Sequence, residues 1–224
     1  MDLRPVYTPT KGEAAYQALR SAIRNGQLRP GQRVTLNELA DSLEMSLTPV
    51  REALRRLASQ GLVEQEPNRG TVIAEYTLER AREIYRLRLL LEPVAAELAA
   101  THATDDDRSE ITTALSDLDE AVAEGRDADV AALNATLHHR IYTAARSPYL
   151  SEFIDKLWNG VPFQAISLTD RQQRSAEQHR AIVRAVLDAD SDRASQLMHE
   201  HISEAAKDTF RQLADADEAR TSDA

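Results

Sequence analysis

Apolar residues in the first third of the chain change their spacing twice, and each change predicts an element. Tyr16, Leu19 and Ile23 recur at helical intervals between Lys11 and Asn25, and the run stops at Asn25-Gly26, where a residue without a β-carbon suits the left-handed turn that closes a helix. Arg29-Pro30-Gly31 predicts a turn. A second helix opens at Thr35, a side chain able to cap it, and lines up Leu36, Leu39, Ala40 and Leu43 on one side. A third opens at Ser46, with Pro49 in the first turn, where its missing N–H costs nothing, and Val50, Ala53, Leu54 and Leu57 as its apolar stripe. After Gln60-Gly61 the signal becomes that of short strands, Leu62-Val63 and Thr71-Val72-Ile73, around the turn Pro67-Asn68-Arg69-Gly70. Three helices followed by a hairpin predict a winged helix-turn-helix over residues 11–76.

Beyond Glu75-Tyr76 the pattern is helical throughout. Thr77 is a cap for LERAREIYRLRLLLEPVAAELAATHA, in which Ile84, Leu87, Leu91, Val94 and Leu98 form the expected buried stripe and Pro93 a point of bending. Further helices are separated by Thr104-Asp105, Gly125-Arg126-Asp127, Ser147-Pro148 and Asp188-Ala189-Asp190. With 4% aromatic residues and frequent alanine, such helices can approach closely, which predicts an all-α antiparallel bundle of six or seven helices over residues 77–217. The fold class expected is therefore mainly α, with a small winged head. The tail DADEARTSDA has nothing to bury and is expected to fray.

Charge sharpens this division. Residues 1–76 carry ten basic and nine acidic side chains, whereas the remainder carries 17 basic and 28 acidic. Acidity spread evenly would oppose phosphate binding, which rests on cation–phosphate contacts and counterion release. Concentrated in the second domain, it can face away from DNA. The absence of cysteine excludes disulfides and thiolate metal sites. MDLRPVYTPTKGE lacks a signal-peptide core, and no run of eighteen apolar residues occurs, so the expectation is a soluble cytoplasmic protein with no membrane partner.

Two groups of residues offer chemistry. On the third helix Thr48, Arg51 and Arg55 lie three and four residues apart and project together, and the hairpin turn presents Arg69. Taken alone, the arginines read as a solvated face paired with Glu52 or other acids; helix face plus basic wing is a more specific signal for duplex DNA. The second group is histidine: five of six (His138, His139, His179, His199 and His201) fall between residues 138 and 201, on three expected helices. Asn134 and His138 are one turn apart and can reach the same point. Spacing by itself leaves each histidine open to an ordinary hydrogen-bonded role.

The run LRPGQRVTLNELADSLEMSLTPVREALRRLASQGLVEQEPNRGTVIA resembles the DNA-binding domain of the GntR superfamily of bacterial transcription regulators. The resemblance implies DNA contacts at Thr48 and Arg51, with Ser46, Leu47 and Arg55 on the same helix, at Arg33 or Asn37, and at Arg69-Gly70 in the wing. Family members have arginine where this chain has Asn37 and Leu47, and glycine where it has Glu44. Arginine can bond guanine O6 and N7 together, worth about 1–3 kcal/mol of discrimination, whereas leucine offers only apolar contact, such as to a thymine methyl. An operator different from the family's common one is expected.

Residues 77–217 resemble the FCD domain of the FadR-type branch, through RLLLEPVAAELAA, NATLHHRIYTAARSPYL, EQHRAIVRAVLDAD and MHEHI. The resemblance implies a divalent metal (Zn, Ni or Fe) held by Asn134, His138, His179 and His201, with His139 and His199 outside the ligand set. These neutral ligands would cancel none of the cation's charge, which favours a small organic acid as effector. Arg88, four residues before Glu92, is a candidate clamp for its carboxylate, the alternative being a simple intrahelical pair. The reading is then a regulator, as most family members are a repressor, binding a palindromic operator as a homodimer. Two rivals are a metal-dependent hydrolase, for which no general base is evident, and a structural metal domain with an inactive head.

Overall fold

The computed structural model describes residues 10–24, 26–66, 70–159 and 169–222. The chain divides into two compact units between Tyr76 and Thr77.

The first unit contains α1 (Lys11–Arg24), β1 (Arg33–Val34), α2 (Leu36–Ser42), α3 (Leu47–Ser59), β2 (Val63–Glu66) and β3 (Gly70–Ile73). Thr35 caps α2 in a reciprocal box: its hydroxyl accepts the Glu38 N–H at 3.2 Å, and the Glu38 carboxylate accepts the Thr35 N–H at 2.7 Å. Ser46 is the N-cap residue of α3, but its hydroxyl makes no capping bond. Tyr16, Leu19, Leu39, Val50, Leu54 and Leu57 form the core. Arg56 lies 3.7 Å above the Tyr16 ring and bonds Glu13 at 2.6 Å, so this arginine fastens α3 to α1.

The sheet has the order β1-β3-β2, all antiparallel. Its two-residue strand β1 was not anticipated, because two residues carry no periodicity. Arg33 pairs with Val72 and Val34 with Thr71, which draws the segment before α2 against the wing. Gly70 begins β3 at φ +89, and a β-carbon there would lie 3.1 Å from the Val34 carbonyl oxygen. The close approach of β1 thus requires glycine at the wing's base.

The second unit is six described helices: α4 (Leu78–His102), α5 (Asp105–Ala123), α6 (Asp127–Ala144), α7 (Pro148–Asn159), α8 (Thr169–Leu187) and α9 (Ser191–Ser222). Thr77 caps α4, and Thr104 with Asp107 forms a capping box at α5. Ala95, Ala96, Ala99 and Ala100 are fully buried on α4, and small side chains there let neighbouring helices pack tightly. Tyr85 reaches across to α9, bonding Thr209 at 2.9 Å and meeting Phe210 edge-on.

Two expectations need correction. Leu87 and Val94 do not belong to the buried stripe of α4; with Leu90 they are 41, 43 and 63% exposed. The stripe that is buried contains Arg88 and Glu92, polar residues that apolar periodicity cannot select. The tail is helical through Ser222, because extending an established helix is inexpensive.

Glu44, in the turn between α2 and α3, has φ +52. A side chain in that conformation crowds the backbone by roughly 1–2 kcal/mol. Glu44→Gly should therefore stabilise the first unit by about 1 kcal/mol, seen as a higher denaturant midpoint at unchanged slope.

Candidate functional site

The exposed side of α3 carries Leu47, Thr48, Arg51 and Arg55, all accessible to solvent, while Pro49, Val50, Ala53, Leu54 and Leu57 are buried on the opposite side. Neither Arg51 nor Arg55 forms an ion pair with a described residue, unlike Arg56. Leu47 occupies the first helical position and is 40% exposed. Arg33, Asn37, Ser46 and Gly70 are also exposed, and Arg69 lies outside the described residues.

In the second unit four side chains expected as ligands come from three helices: Asn134 and His138 from α6, His179 from α8 and His201 from α9. All four are buried, with exposures of 7, 1, 3 and 4%. Ligand atoms of the three histidines lie within 4.8 Å of one another, and the Nε2 atoms of His138 and His179 are 3.1 Å apart. Two nitrogens bound at about 2.1 Å to one tetrahedral or octahedral cation would be separated by about 3.0–3.4 Å. Asn134 shares a cavity with His179 and His201.

Hydrogen bonds decide which nitrogen each imidazole offers. The Tyr142 hydroxyl donates to Glu92 Oε2 at 2.5 Å, so its oxygen accepts from His138 Nδ1 at 2.7 Å, and the unprotonated lone pair of His138 is at Nε2. A parallel relay reaches His201. Gln178 donates its amide to Glu204 at 2.7 Å, which turns its carbonyl toward His201 Nδ1 at 2.9 Å and leaves His201 Nε2 as the bare nitrogen. Carboxylate-ended relays of this kind fix ring orientation and raise the basicity of metal-binding histidines. Bare nitrogens converging at such distances repel one another unless a cation or a shared proton lies between them. The donor set therefore fits a divalent metal of the imidazole-preferring kind.

Arg88 forms the intrahelical pair weighed above, yet in a setting that changes its meaning. It is 4% exposed and Glu92 is fully buried; Arg88 Nε donates to Glu92 Oε1 at 2.6 Å and a second guanidinium nitrogen to Oε2 at 3.4 Å. Burial opposes the charge on Arg88, but the Glu92 carboxylate more than offsets it and raises its pKa. Tyr142 is likewise pushed well above the ordinary tyrosine range, first by burial and then by the Glu92 charge, so it remains a donor. The guanidinium lies 4.8 Å from the Tyr85 ring centre and 4.6 Å from that of Trp158, whose indole N–H donates to Glu92 at 3.0 Å. Arg88 also lines the cavity that Asn134, His179 and His201 share.

Tyr142, Glu92, Trp158 and Gln178 were not singled out as site residues from the sequence. Two had a visible signal: Tyr142 is one turn after His138, and Gln178 precedes His179. Trp158 had none, since α7 meets the others only through folding. His139 is 54% exposed and faces Asp155, which raises its pKa through a hydrogen bond; His199 is exposed, so both lie outside the cluster.

Residues 83–204 match the FCD domain family, and residues 11–73 match the bacterial regulatory proteins of the gntR family. The chain belongs to the GntR family of regulators and carries an FCD domain. It is similar to the HTH-type transcriptional regulator McbR of Escherichia coli K12, with 35% identity over 133 residues, 59% of this chain and 60% of that protein. It is also similar to a probable D-xylose utilization operon transcriptional repressor of Paenarthrobacter nicotinovorans, with 31% identity over 188 residues, 81% of this chain and 80% of the relative. The solved structure of E. coli McbR/YncC superposes with a TM-score of 0.80 at 26% identity, covering 92% of this chain and 99% of that one. These relatives are transcription regulators, not enzymes, which sets aside the hydrolase alternative. No helix among the described residues is long and apolar enough to cross a membrane.

Tyr142→Phe keeps the ring and removes the hydroxyl between Glu92 and His138. Zn2+ affinity should fall about 10- to 100-fold by calorimetric titration, with helix content unchanged.

Proposed function

We propose that the protein is a cytoplasmic repressor that binds a palindromic operator as a homodimer and is controlled by a small carboxylate bound at a divalent metal. One observation carries the metal-dependent part: His138 Nε2 and His179 Nε2 stand 3.1 Å apart beside a cavity that Arg88 and Asn134 also line. Asn134, His138, His179 and His201 would hold the ion, and Zn, Ni and Fe suit such ligands. The ion would supply an uncompensated positive charge and a position open to an oxygen ligand. Arg88, with the rings of Tyr85 and Trp158 4.8 and 4.6 Å from its guanidinium carbon, supplies donors beside it. With asparagine in place of aspartate, no ligand carries negative charge, so metal binding is weaker and an anionic effector is favoured.

Thr48, Arg51 and Arg55 form the DNA-reading face, with Arg33, Asn37, Ser46, Arg69 and Gly70 at the adjoining backbone. A single helix of this size reads few base pairs, and a two-fold pair reads half-sites about one helical turn apart. Leu87, Leu90 and Val94 recur along one exposed side of α4, and Tyr149 and Phe153 are 79 and 58% exposed on α7, which packs against α4. These apolar surfaces suit a second copy of the chain. Effector binding shifts the balance between DNA-binding and non-binding states by its differential affinity for the two.

Gel-shift assays with DNA upstream of the protein's own gene test this reading. The metal-loaded protein should bind sequence-specifically, release when a small acid is added, and lose that response but not DNA binding in His201→Ala. Arg51→Ala should weaken binding at least tenfold. Absence of specific binding at low salt would mean that the head is inactive and the metal structural. Leu47→Arg should move base preference toward guanine by roughly ten- to a hundredfold in binding-site selection.

A further inference from the structure

We infer that two copies of this chain pair through antiparallel α4 helices, in the register that sets Leu90 of one copy against Val94 of the other and Arg86 against Glu97. The inference rests on the homodimer proposed above and gives that contact its surface and its register. At about 3.6 residues per turn, Glu79, Glu83, Arg86, Leu90, Val94 and Glu97 lie within about 40° of one line along α4, and all six are exposed. Arg88 and Glu92 are about 160° from Leu90 and buried in the bundle. The exposed line is thus apolar at its middle and charged toward both ends. The side chains of Arg86 and Glu97 form no ion pair with a described residue.

Size and symmetry point to a second copy as the occupant. Leu87, Leu90 and Val94, with Tyr149 and Phe153 on the adjoining α7, expose on the order of 500 Å² of apolar side chain, more than half of the roughly 800 Å² that a stable interface buries on each partner. A two-fold contact uses the same patch on both sides, so the patch must complement itself. Charge selects the register that does so. With the two-fold axis at the level of Glu92, Leu90 faces Val94 of the second copy, and Arg86 faces Glu97 of the second copy at both ends of the contact. With the axis at the level of Leu90, Glu83 would meet Glu97, and at the level of Arg88, Glu79 would meet Glu97. Both alternatives oppose like charges, which is unfavourable.

Sedimentation equilibrium of the full chain tests this pairing. Arg86→Glu and Glu97→Arg, each on an exposed side chain, oppose like charges at both ends and should each weaken the dimer at least about tenfold. The variant carrying both should return to within about threefold of the unmodified chain. Residues 86 and 97 are about 16 Å apart along one helix, too far to pair within it, so that recovery can come only from contact between copies. The chain contains no cysteine, which allows a second readout that is independent of affinity. Arg86→Cys and Glu97→Cys chains, mixed and exposed to a mild oxidant, should give a disulfide-linked dimer, and neither should do so alone, because a bridge needs Cα atoms within about 7 Å. A dimer that is indifferent to both charge reversals and gives no mixed crosslink overturns the pairing and leaves the homodimeric regulator standing. Weakening by each reversal without recovery in the double variant overturns the register. An unmodified chain that is monomeric at every concentration overturns both the pairing and the homodimer.

Discussion

The second domain is organised around a carboxylate with no access to water. Glu92 is fully buried and accepts hydrogen bonds from Arg88 on its own helix, Tyr142 on α6 and Trp158 on α7. A buried anion left without partners costs several kcal/mol, so these three helices can pack in this way only if all three donors arrive together. The arrangement specifies more than it stabilises. An apolar residue at position 92 would pack as well, but would neither hold Arg88 at the cavity nor turn Tyr142 so that its oxygen accepts from His138. The electrostatic requirement of one residue is thereby converted into the orientation of an imidazole.

A second, solvent-exposed carboxylate, Glu204, orients another ring, through Gln178 to His201. The two relays start on different helices and end on rings 5.2 Å apart. Each protonates Nδ1 and bares Nε2, and the result is a cluster of donors aimed inward. Because all the donors are neutral and Arg88 is balanced by Glu92, a bound cation would keep its full charge. In the proposed function that charge is met by an anionic effector.

The DNA-binding head shows the opposite economy. Its arginines are sorted by what surrounds them: Arg56 is stacked on Tyr16 and bonded to Glu13, while Arg51 and Arg55 remain exposed on the same helix. A one-residue shift along a helix moves a side chain by about 100°, enough to exchange a packing role for an exposed position. Glu44 keeps a left-handed conformation that glycine would adopt at lower cost, so the turn between α2 and α3 is held by the helices on either side of it rather than by its own preference.

How much of this could be read from the chain depends on whether the information is local. Caps at Thr35, Thr77 and Thr104, breaks at Gly26, Gly125 and Asp188-Ala189-Asp190, and the apolar side of α3 are each written within a few residues, because helix ends and amphipathic stripes are set by neighbours one turn away. Strand β1 was not legible, since its two residues become a strand only when β3 lies beside them. On α4 periodicity misjudged Leu87 and Val94, because which side of a long helix is buried depends on where five other helices lie. Asn134, His138, His179 and His201 were identified by resemblance to a family; their spacing alone could not bring them to one point. By itself the sequence determined the helices and the wing hairpin, the division into two domains and the residue types available for recognition. Only the tertiary structure decided that Glu92, Tyr142, Trp158 and Gln178 belong to the site, because burial and orientation arise from helices distant in sequence meeting in space.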